Sequence, residues 1–180
     1  MKILAKHIAQ TIKALRQELG WSLDKTAKAT GVSKAMLGQI EREESSPTIA
    51  TLWKIAKGFQ QPFSRFITKP SAKTEILHPT DHQIRVQTLF PFDPLLQFEM
   101  FVIELLPGCE HLSPAHAEGV TEHIIAIEGS LEILIQGNWQ LLKPGEGLHF
   151  AAHEAHGYRN LSKKIIRFHN IIHYPSLGSD

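Results

Sequence analysis

Apolar residues in the first 68 positions recur with the period of an α-helix. Four of them follow one another at i, i+4, i+7 and i+11: Ile8, Ile12, Leu15 and Leu19. This spacing predicts an amphipathic helix near the N-terminus. A second stripe precedes a polar, proline-containing joint at residues 60–62 and predicts a further helix: Leu52, Ile55, Ala56 and Phe59. Residues 63–68 predict a last short helix.

Between these stripes, two short helical patterns are joined by a tight turn that contains Gly31. Gly31 can adopt the left-handed backbone conformation that ends the first helix, and Val32 fills the wedge between the two helices. Ser33 stands at the N-cap position of the second helix, whose apolar side is Leu37 and Ile40. The pattern predicts a helix-turn-helix, in which the second helix enters the DNA major groove.

The segment resembles the XRE, or lambda-repressor-like, family of DNA-binding domains. The run from Gly31 to Arg42 carries the resemblance, together with Ser46-Pro47-Thr48, and the match covers roughly residues 5 to 68. It implies a five-helix bundle, and we assign residues 1–69 to this domain.

Four residues are predicted to project from the start of the second motif helix: Lys34, Ala35, Gly38 and Gln39. The resemblance implies that base-contacting side chains lie there. Lys34 suits guanine O6 and N7 or a phosphate, Gln39 suits adenine N6 and N7, and Ala35 can meet a thymine methyl group. A plainer interpretation makes Lys34 a solvated charge and Gln39 a phosphate contact.

Gly38 and three helix caps complete the predicted DNA-binding set. Glycine inside a helix costs about 1 kcal/mol relative to alanine, which a close approach to the DNA backbone would explain at Gly38. Ser22, Ser33 and Thr48 are expected to cap helices, and helix N-termini favour phosphate contacts.

The charge distribution agrees with a nucleic-acid partner. Residues 1–69 carry a net charge of +7 and residues 70–180 carry −6. The overall charge of +1 is therefore the sum of a basic N-terminal part and an acidic C-terminal part. Basic side chains supply affinity for double-stranded DNA through counterion release. No apolar run is long enough to span a membrane, the N-terminus does not resemble a signal peptide, and the single Cys109 fits a reducing cytoplasm.

From Ile84 onwards the apolar period changes to two, which is typical of β-strands. The predicted strands begin at Phe98, Leu131 and Ile165 and are separated by Pro-Gly and Gly-Asn turns. Many short strands in about 110 residues predict a β-sandwich or small barrel. We assign residues 70–83 to a linker and residues 84–180 to this barrel.

Two blocks in the barrel resemble the paired motifs of the cupin family, a jelly-roll β-barrel. Carried over position by position, the family's metal ligands correspond to His116, Glu122 and His156, and Asn160 ends the second motif. Pro114 stands where the first motif histidine is expected, and the glutamate comes one residue late. The predicted fold is therefore α+β with two domains, a five-helix lambda-repressor-like bundle followed by a cupin jelly-roll barrel.

Two histidines and one carboxylate form a suitable ligand set for a divalent metal, zinc first, with iron or manganese as alternatives. His111 could replace the missing fourth ligand, and a small-molecule effector is predicted to contact His111, the three metal-ligand candidates and Tyr158. A degenerate cupin, in which His116 and His156 only form hydrogen bonds, is the alternative. His123, next to Glu122 on a strand, is expected to face outward.

Together these features predict a cytoplasmic transcriptional regulator that binds a DNA operator as a homodimer and senses a small polar ligand in its barrel. A metal-dependent cupin enzyme, such as an oxygenase or isomerase tethered to DNA, is the alternative. The barrel shows no nucleophile–base pair, which disfavours an enzyme. An antitoxin-like binding module is disfavoured by the large ordered barrel.

Overall fold

The structure is a computed structural model that describes residues 2–67, 76–77 and 83–175. The N-terminal part of these residues forms five helices, as predicted: α1 (Lys2–Glu18), α2 (Leu23–Thr30), α3 (Lys34–Glu41), α4 (Ile49–Phe59) and α5 (Ser64–Ile67). None of the described helices has both the length and the apolar composition needed to cross a membrane.

The local signals in the sequence start and end the motif helices. Gly31 has φ 67° and ends α2, and Val32 behind it is buried. Three side chains cap helix N-termini by accepting a hydrogen bond from the backbone N–H of the third helical residue: Ser22 from Lys25, Ser33 from Met36 and Thr48 from Thr51. The predicted caps are confirmed.

The predicted stripe of α1 is buried with one exception. Ile8, Ile12 and Leu15 lie in the core of the bundle, whereas Leu19 is 48% exposed. Leu19 follows the last residue of α1 and its N–H still donates to the carbonyl oxygen of Leu15 at 3.1 Å, but the chain turns at Gly20 (φ 62°) and the helix ends there. The prediction that Leu19 belongs to the buried stripe is wrong.

The remaining described residues form ten strands. They are β1 (Ile76–Leu77), β2 (Ile84–Asp93), β3 (Phe98–Leu105), β4 (Glu110–Ser113), β5 (Thr121–Glu128), β6 (Leu131–Ile135), β7 (Asn138–Leu142), β8 (Gly147–Ala151), β9 (His156–Arg159) and β10 (Ile166–His173).

The strands form two antiparallel sheets that enclose the second core. One has the order β1-β2-β3-β10-β5-β8 and the other β4-β9-β6-β7. Alternate residues of β3 and β10 point inward, among them Phe101 and Phe168. The predicted jelly-roll architecture is confirmed. Ile76 and Leu77, inside the segment assigned to the linker, pair with β2, and the rest of residues 70–82 lies outside the described residues.

Asn160 and Gly129 shape turns in the barrel. The Asn160 side-chain amide donates to the carbonyl oxygens of Leu105 and Lys164, at 2.9 and 2.8 Å. Gly129 has φ 74°, and a Cβ there would lie 2.5 Å from the Ile166 side chain. Asn160 and Gly129 belong to the predicted cupin blocks, and each of them shapes a turn of the barrel.

Candidate functional site

The outer surface of α3 presents three of the four predicted DNA-contacting positions. Lys34, Ala35 and Gln39 are exposed, while Leu37 and Ile40 are buried on the opposite side. Lys34 Nζ lies 2.8 Å from Asp24 Oδ2 in an exposed ion pair. Such a pair contributes little stability, so Lys34 can exchange Asp24 for a phosphate or a base.

Gly38 does not face outward, and that part of the prediction is wrong. It is buried, and a Cβ at this position would lie 3.1 Å from Arg42 Nη1 and 3.9 Å from Leu23 Cδ1. The glycine therefore makes room for the Arg42 side chain, which is exposed and paired with Glu44 at 2.8 Å. Arg42 is a basic residue at the end of α3 that the sequence analysis did not select.

The three predicted metal-ligand residues come together inside the barrel. His116 lies in the connection between β4 and β5, Glu122 on β5 and His156 at the start of β9, and all three are buried. Glu122 Oε1 lies 2.7 Å from His116 Nε2 and 3.3 Å from His156 Nε2. The three ligand atoms lie within 4.8 Å of one another.

The orientation of His156 suits a metal ligand. Its Nδ1 lies 3.0 Å from the carbonyl oxygen of Glu154, so Nδ1 carries the proton and donates it. In the neutral imidazole, Nε2 then points a lone pair toward the Glu122 carboxylate, 3.3 Å away, and two acceptors cannot form a hydrogen bond with each other. A backbone carbonyl that orients a histidine in this way is a common second contact around protein-bound metals.

Two further side chains bind the carboxylate oxygen of Glu122 that does not face the histidines. The Tyr158 hydroxyl and the Asn170 side-chain amide both donate to Glu122 Oε2, the amide at 2.9 Å. Glu122 Oε1 is thereby left facing the two histidines. Asn170 was missed by the sequence analysis, although a signal was present: it is the one polar residue among the inward-facing positions of β10, with Ile166, Phe168 and Ile172.

The ionisation of the cluster follows from burial and mutual charge. Burial alone would raise the pKa of Glu122, but the positive charge of His156 in its protonated form, with the hydrogen bonds from both imidazoles, outweighs burial and holds that pKa well below its usual range. Burial lowers the pKa of His116, whereas the Glu122 carboxylate overcomes burial and raises the pKa of His156. Burial and the Glu122 charge together raise the pKa of Tyr158. Glu122 is thus an anion facing two nitrogen donors.

This donor set fits a divalent metal. It offers two imidazole nitrogens and one ionised carboxylate, with the second carboxylate oxygen held by Tyr158 and Asn170. His111 is buried on β4 and faces the same interior, but it is not part of the converging group. His123 is exposed on the outer face of β5, where it stacks on His149.

The helical domain covers the open end of the barrel. The Trp53 ring of α4 stacks on the His116 imidazole with 3.9 Å between centroids, and Phe63 packs edge-on against Phe101 of β3 at 5.9 Å. Trp53 and Phe63 also stack on each other at 4.3 Å. The Trp53 ring therefore lies between the two domains and contacts both.

Glu99 of β3 joins the domains by hydrogen bonds. Its carboxyl oxygens accept the backbone N–H groups of Phe63 and Ser64, at 3.0 and 2.8 Å, and the Tyr174 hydroxyl. The side chain is fully buried, and burial raises its pKa while these hydrogen bonds partly offset the rise. Glu99 was not selected from the sequence, where a single acidic residue in a strand gives no signal.

Comparison with known proteins supports both halves of this architecture. Residues 12–66 match the family model described as helix-turn-helix, and residues 101–172 match the one described as cupin domain. A protein of Escherichia coli (strain K12), named HTH-type transcriptional regulator SutR, is 51% identical over 176 residues, which cover 97% of this chain and 99% of that protein.

Two solved structures are also similar. A helix-turn-helix family transcriptional regulator from Vibrio cholerae is 42% identical and superposes with a TM-score of 0.88, over 96% of this chain and 98% of that one. The cupin domain of an XRE family transcriptional regulator from Enterobacter cloacae is 44% identical, with a TM-score of 0.51, over 52% of this chain and 98% of that one. The first similarity extends across both domains.

Proposed function

Since this chain belongs to the helix-turn-helix transcriptional regulators that carry a C-terminal cupin domain, we propose that it binds a specific DNA operator and senses a small polar ligand next to a metal ion in the cupin domain. It is a regulator rather than a tethered cupin enzyme, in agreement with relatives that match it over nearly its whole length. The buried cluster of His116, Glu122 and His156 is the observation that carries the sensing part of the proposal.

We infer that the protein acts in the cytoplasm as a homodimer. Two-fold symmetry would place two α3 helices about one helical turn of DNA apart, each in a major groove. Ser22, Ser33 and Thr48 support this arrangement, because the N-termini that they cap are exposed on the basic domain and suit phosphate contacts. Ala35 adds a methyl group that suits thymine.

Gln39→Ala and Lys34→Ala are expected to weaken operator binding. Each side chain projects from α3 and offers hydrogen bonds to a base, so its loss should cost about 1 to 3 kcal/mol at one base pair and relax the preference there. The measurement is a binding-site selection from random DNA followed by titration of single-base variants.

Lys13→Ala is the control, since this exposed lysine lies on α1 and its loss removes one positive charge without touching α3. It should weaken binding slightly and equally for all sequences. If both α3 variants retain the wild-type site profile, the assignment of base contacts to Lys34 and Gln39 is wrong.

For the metal, the donor set favours zinc, with iron and manganese also compatible with two imidazoles and a carboxylate. Protein purified without added metal or chelator is expected to contain one divalent ion per chain. His156→Ala removes one of the two imidazole nitrogens of the donor set and should abolish that stoichiometry. Elemental analysis measures both.

His123→Ala serves as the matched control, because His123 neighbours Glu122 on β5 but lies on the exposed face. Its metal content should equal that of the wild type. Absence of stoichiometric metal from the wild type, with no change in His156→Ala, would favour the degenerate cupin, in which these side chains only hydrogen-bond to one another.

Sensing requires that the ligand bind the DNA-competent and DNA-incompetent states with different affinity. By linkage, operator DNA must then change ligand affinity by the same factor, typically about 5- to 150-fold. The candidate ligand contacts from the cluster are His111, His116, Glu122, His156 and Tyr158. Direct contact between Trp53 and His116 supports the coupling, because the α4 helix that carries Trp53 belongs to the DNA-binding domain.

A further inference from the structure

The space available near the metal-ligand cluster lies mainly outside the barrel. The barrel interior next to Glu122 and Tyr158 has a free volume of about 20 Å³, which accommodates a single water-sized group. A second cavity of about 470 Å³ lies between α4 and the barrel end that Trp53 covers. Small-molecule sites in proteins have volumes of about 300 to 1,000 Å³, so of these two cavities the second has the size for an organic ligand.

The walls of this interdomain cavity come from both domains. α4 and the turn after it contribute Trp53, Lys57 and Gln60, and the barrel contributes Phe92, Glu118 and Tyr174. His116 also lines the cavity, so a molecule in it would touch a member of the metal-ligand cluster. The three aromatic rings provide a largely apolar surface suited to a ring or hydrocarbon chain.

Lys57 gives the interdomain cavity an anion-binding group. Its Nζ donates to the carbonyl oxygen of Ala115 at 3.1 Å, and this bond crosses from one domain to the other. An ammonium group has three donors, so two remain for the oxygens of a carboxylate. Glu118 lines the same cavity, is exposed, and forms no ion pair within the described part of the chain.

The chain turns on both sides of the interdomain cavity. Gln60 at the end of α4 and Gln97 between β2 and β3 both have positive φ, 52° and 55°. At Gln60 this left-handed conformation ends α4, and Gln97 ends a turn in which its N–H donates to the carbonyl oxygen of Asp93 at 2.7 Å. Both residues line the cavity and add an amide side chain to its wall.

We propose that the interdomain cavity is the effector site and that it takes a small carboxylic acid with an aromatic or apolar body. The carboxylate pairs with Lys57, and the body packs against Trp53, Phe92 and Tyr174. An α-amino group, if the acid has one, faces Glu118. This inference rests on the proposed sensing function, but it moves the ligand from the barrel interior to the interdomain cavity, where His116 is the one of the five candidate ligand contacts that lines the site.

A ligand in this position would affect DNA binding through direct contacts with the DNA-binding domain. It contacts α4 on one side and the barrel on the other, and α4 packs directly on α2 of the helix-turn-helix. Occupancy therefore changes the relation between the DNA-binding domain and the barrel, and with it the spacing of the two α3 helices in a dimer.

The experiment titrates the full-length protein with three probes that share a phenyl ring: 3-phenylpropionate, phenylalanine and phenethylamine. Isothermal titration calorimetry should detect one site per chain for 3-phenylpropionate, with phenethylamine not bound. Tighter binding of phenylalanine than of 3-phenylpropionate would show that the α-amino group contacts Glu118. Weaker binding of phenylalanine would show that the site prefers carboxylic acids without an amino group. No binding by either carboxylate overturns the proposal.

Lys57→Met tests the anion contact, because methionine keeps an unbranched apolar stem and removes the charge. It should weaken 3-phenylpropionate binding at least tenfold. Lys54→Met is the matched control, since Lys54 is exposed on the same helix but does not line the interdomain cavity, and it should bind as the wild type does. Equal binding by the two variants overturns the assignment to Lys57.

Metal content and operator affinity, measured on the same preparations, separate this proposal from the proposed function. If the protein holds its metal and binds its selected operator but no carboxylate probe, the interdomain cavity is not the effector site and the proposed function stands. Lys57-dependent binding to a protein without metal supports the cavity and counts against the metal part of the proposed function.

Discussion

Glu99→Ala is expected to destabilise the protein by about 3 kcal/mol or more. The substitution removes the acceptor of the Ser64 N–H and of the Tyr174 hydroxyl, and it leaves the Phe63 N–H only its longer bond to the Tyr174 hydroxyl oxygen, at 3.3 Å. Each buried donor left without a partner costs about 1 to 3 kcal/mol. Since Phe63 and Ser64 belong to the helical domain, the loss falls on the junction of the two domains. Denaturant unfolding followed by circular dichroism measures the change.

Glu104→Ala provides the control on the same strand. Glu104 faces outward and pairs with Arg167 at 2.6 Å and Arg85 at 3.4 Å, at the surface of the barrel. Surface ion pairs contribute about 1 kcal/mol or less, so this variant should remain close to the wild type. Equal destabilisation by the two substitutions would show that Glu99 does not hold the domains together through its buried hydrogen bonds.

Gly58→Ala is expected to destabilise the helical domain by about 3 kcal/mol, although alanine is the better helix former. A Cβ at Gly58 would lie 2.6 Å from Thr30 Cα and 2.8 Å from the carbonyl oxygen of Ala29. These are backbone atoms at the end of α2, so relief requires α2 and α4 to separate. DNA binding should weaken together with thermal stability, since α2 and α3 form the helix-turn-helix.

Gly38→Ala makes the same change in a neighbouring helix. The group in its way is the end of the Arg42 side chain, 3.1 Å from the added Cβ, which can move at little cost. Alanine gains up to about 1 kcal/mol of helix propensity, so this variant should be as stable as the wild type within about 1 kcal/mol. A stable Gly58→Ala protein would contradict the close packing of α2 on α4.

The sequence by itself determined the elements and the two fold families, because their signals are local. Helix caps such as Ser33 and the left-handed Gly31 act within three or four residues, and strand alternation extends over five to eight. His116 and Glu122 are six residues apart, and the resemblance to the cupin motifs added His156 to them. The candidate ligand set could therefore also be predicted from the sequence.

Only the tertiary structure decided what surrounds these residues. Asn170 reaches Glu122 because β10 lies next to β5, and Gly38 is buried because Arg42 folds over it. Trp53 meets His116, 63 positions later in the chain, only when the helical domain docks on the barrel. Such contacts join residues that are distant in sequence, and the free energy that selects them comes from burying both domain surfaces together. No local pattern encodes that docking, and so the interdomain cavity became visible only in the folded chain.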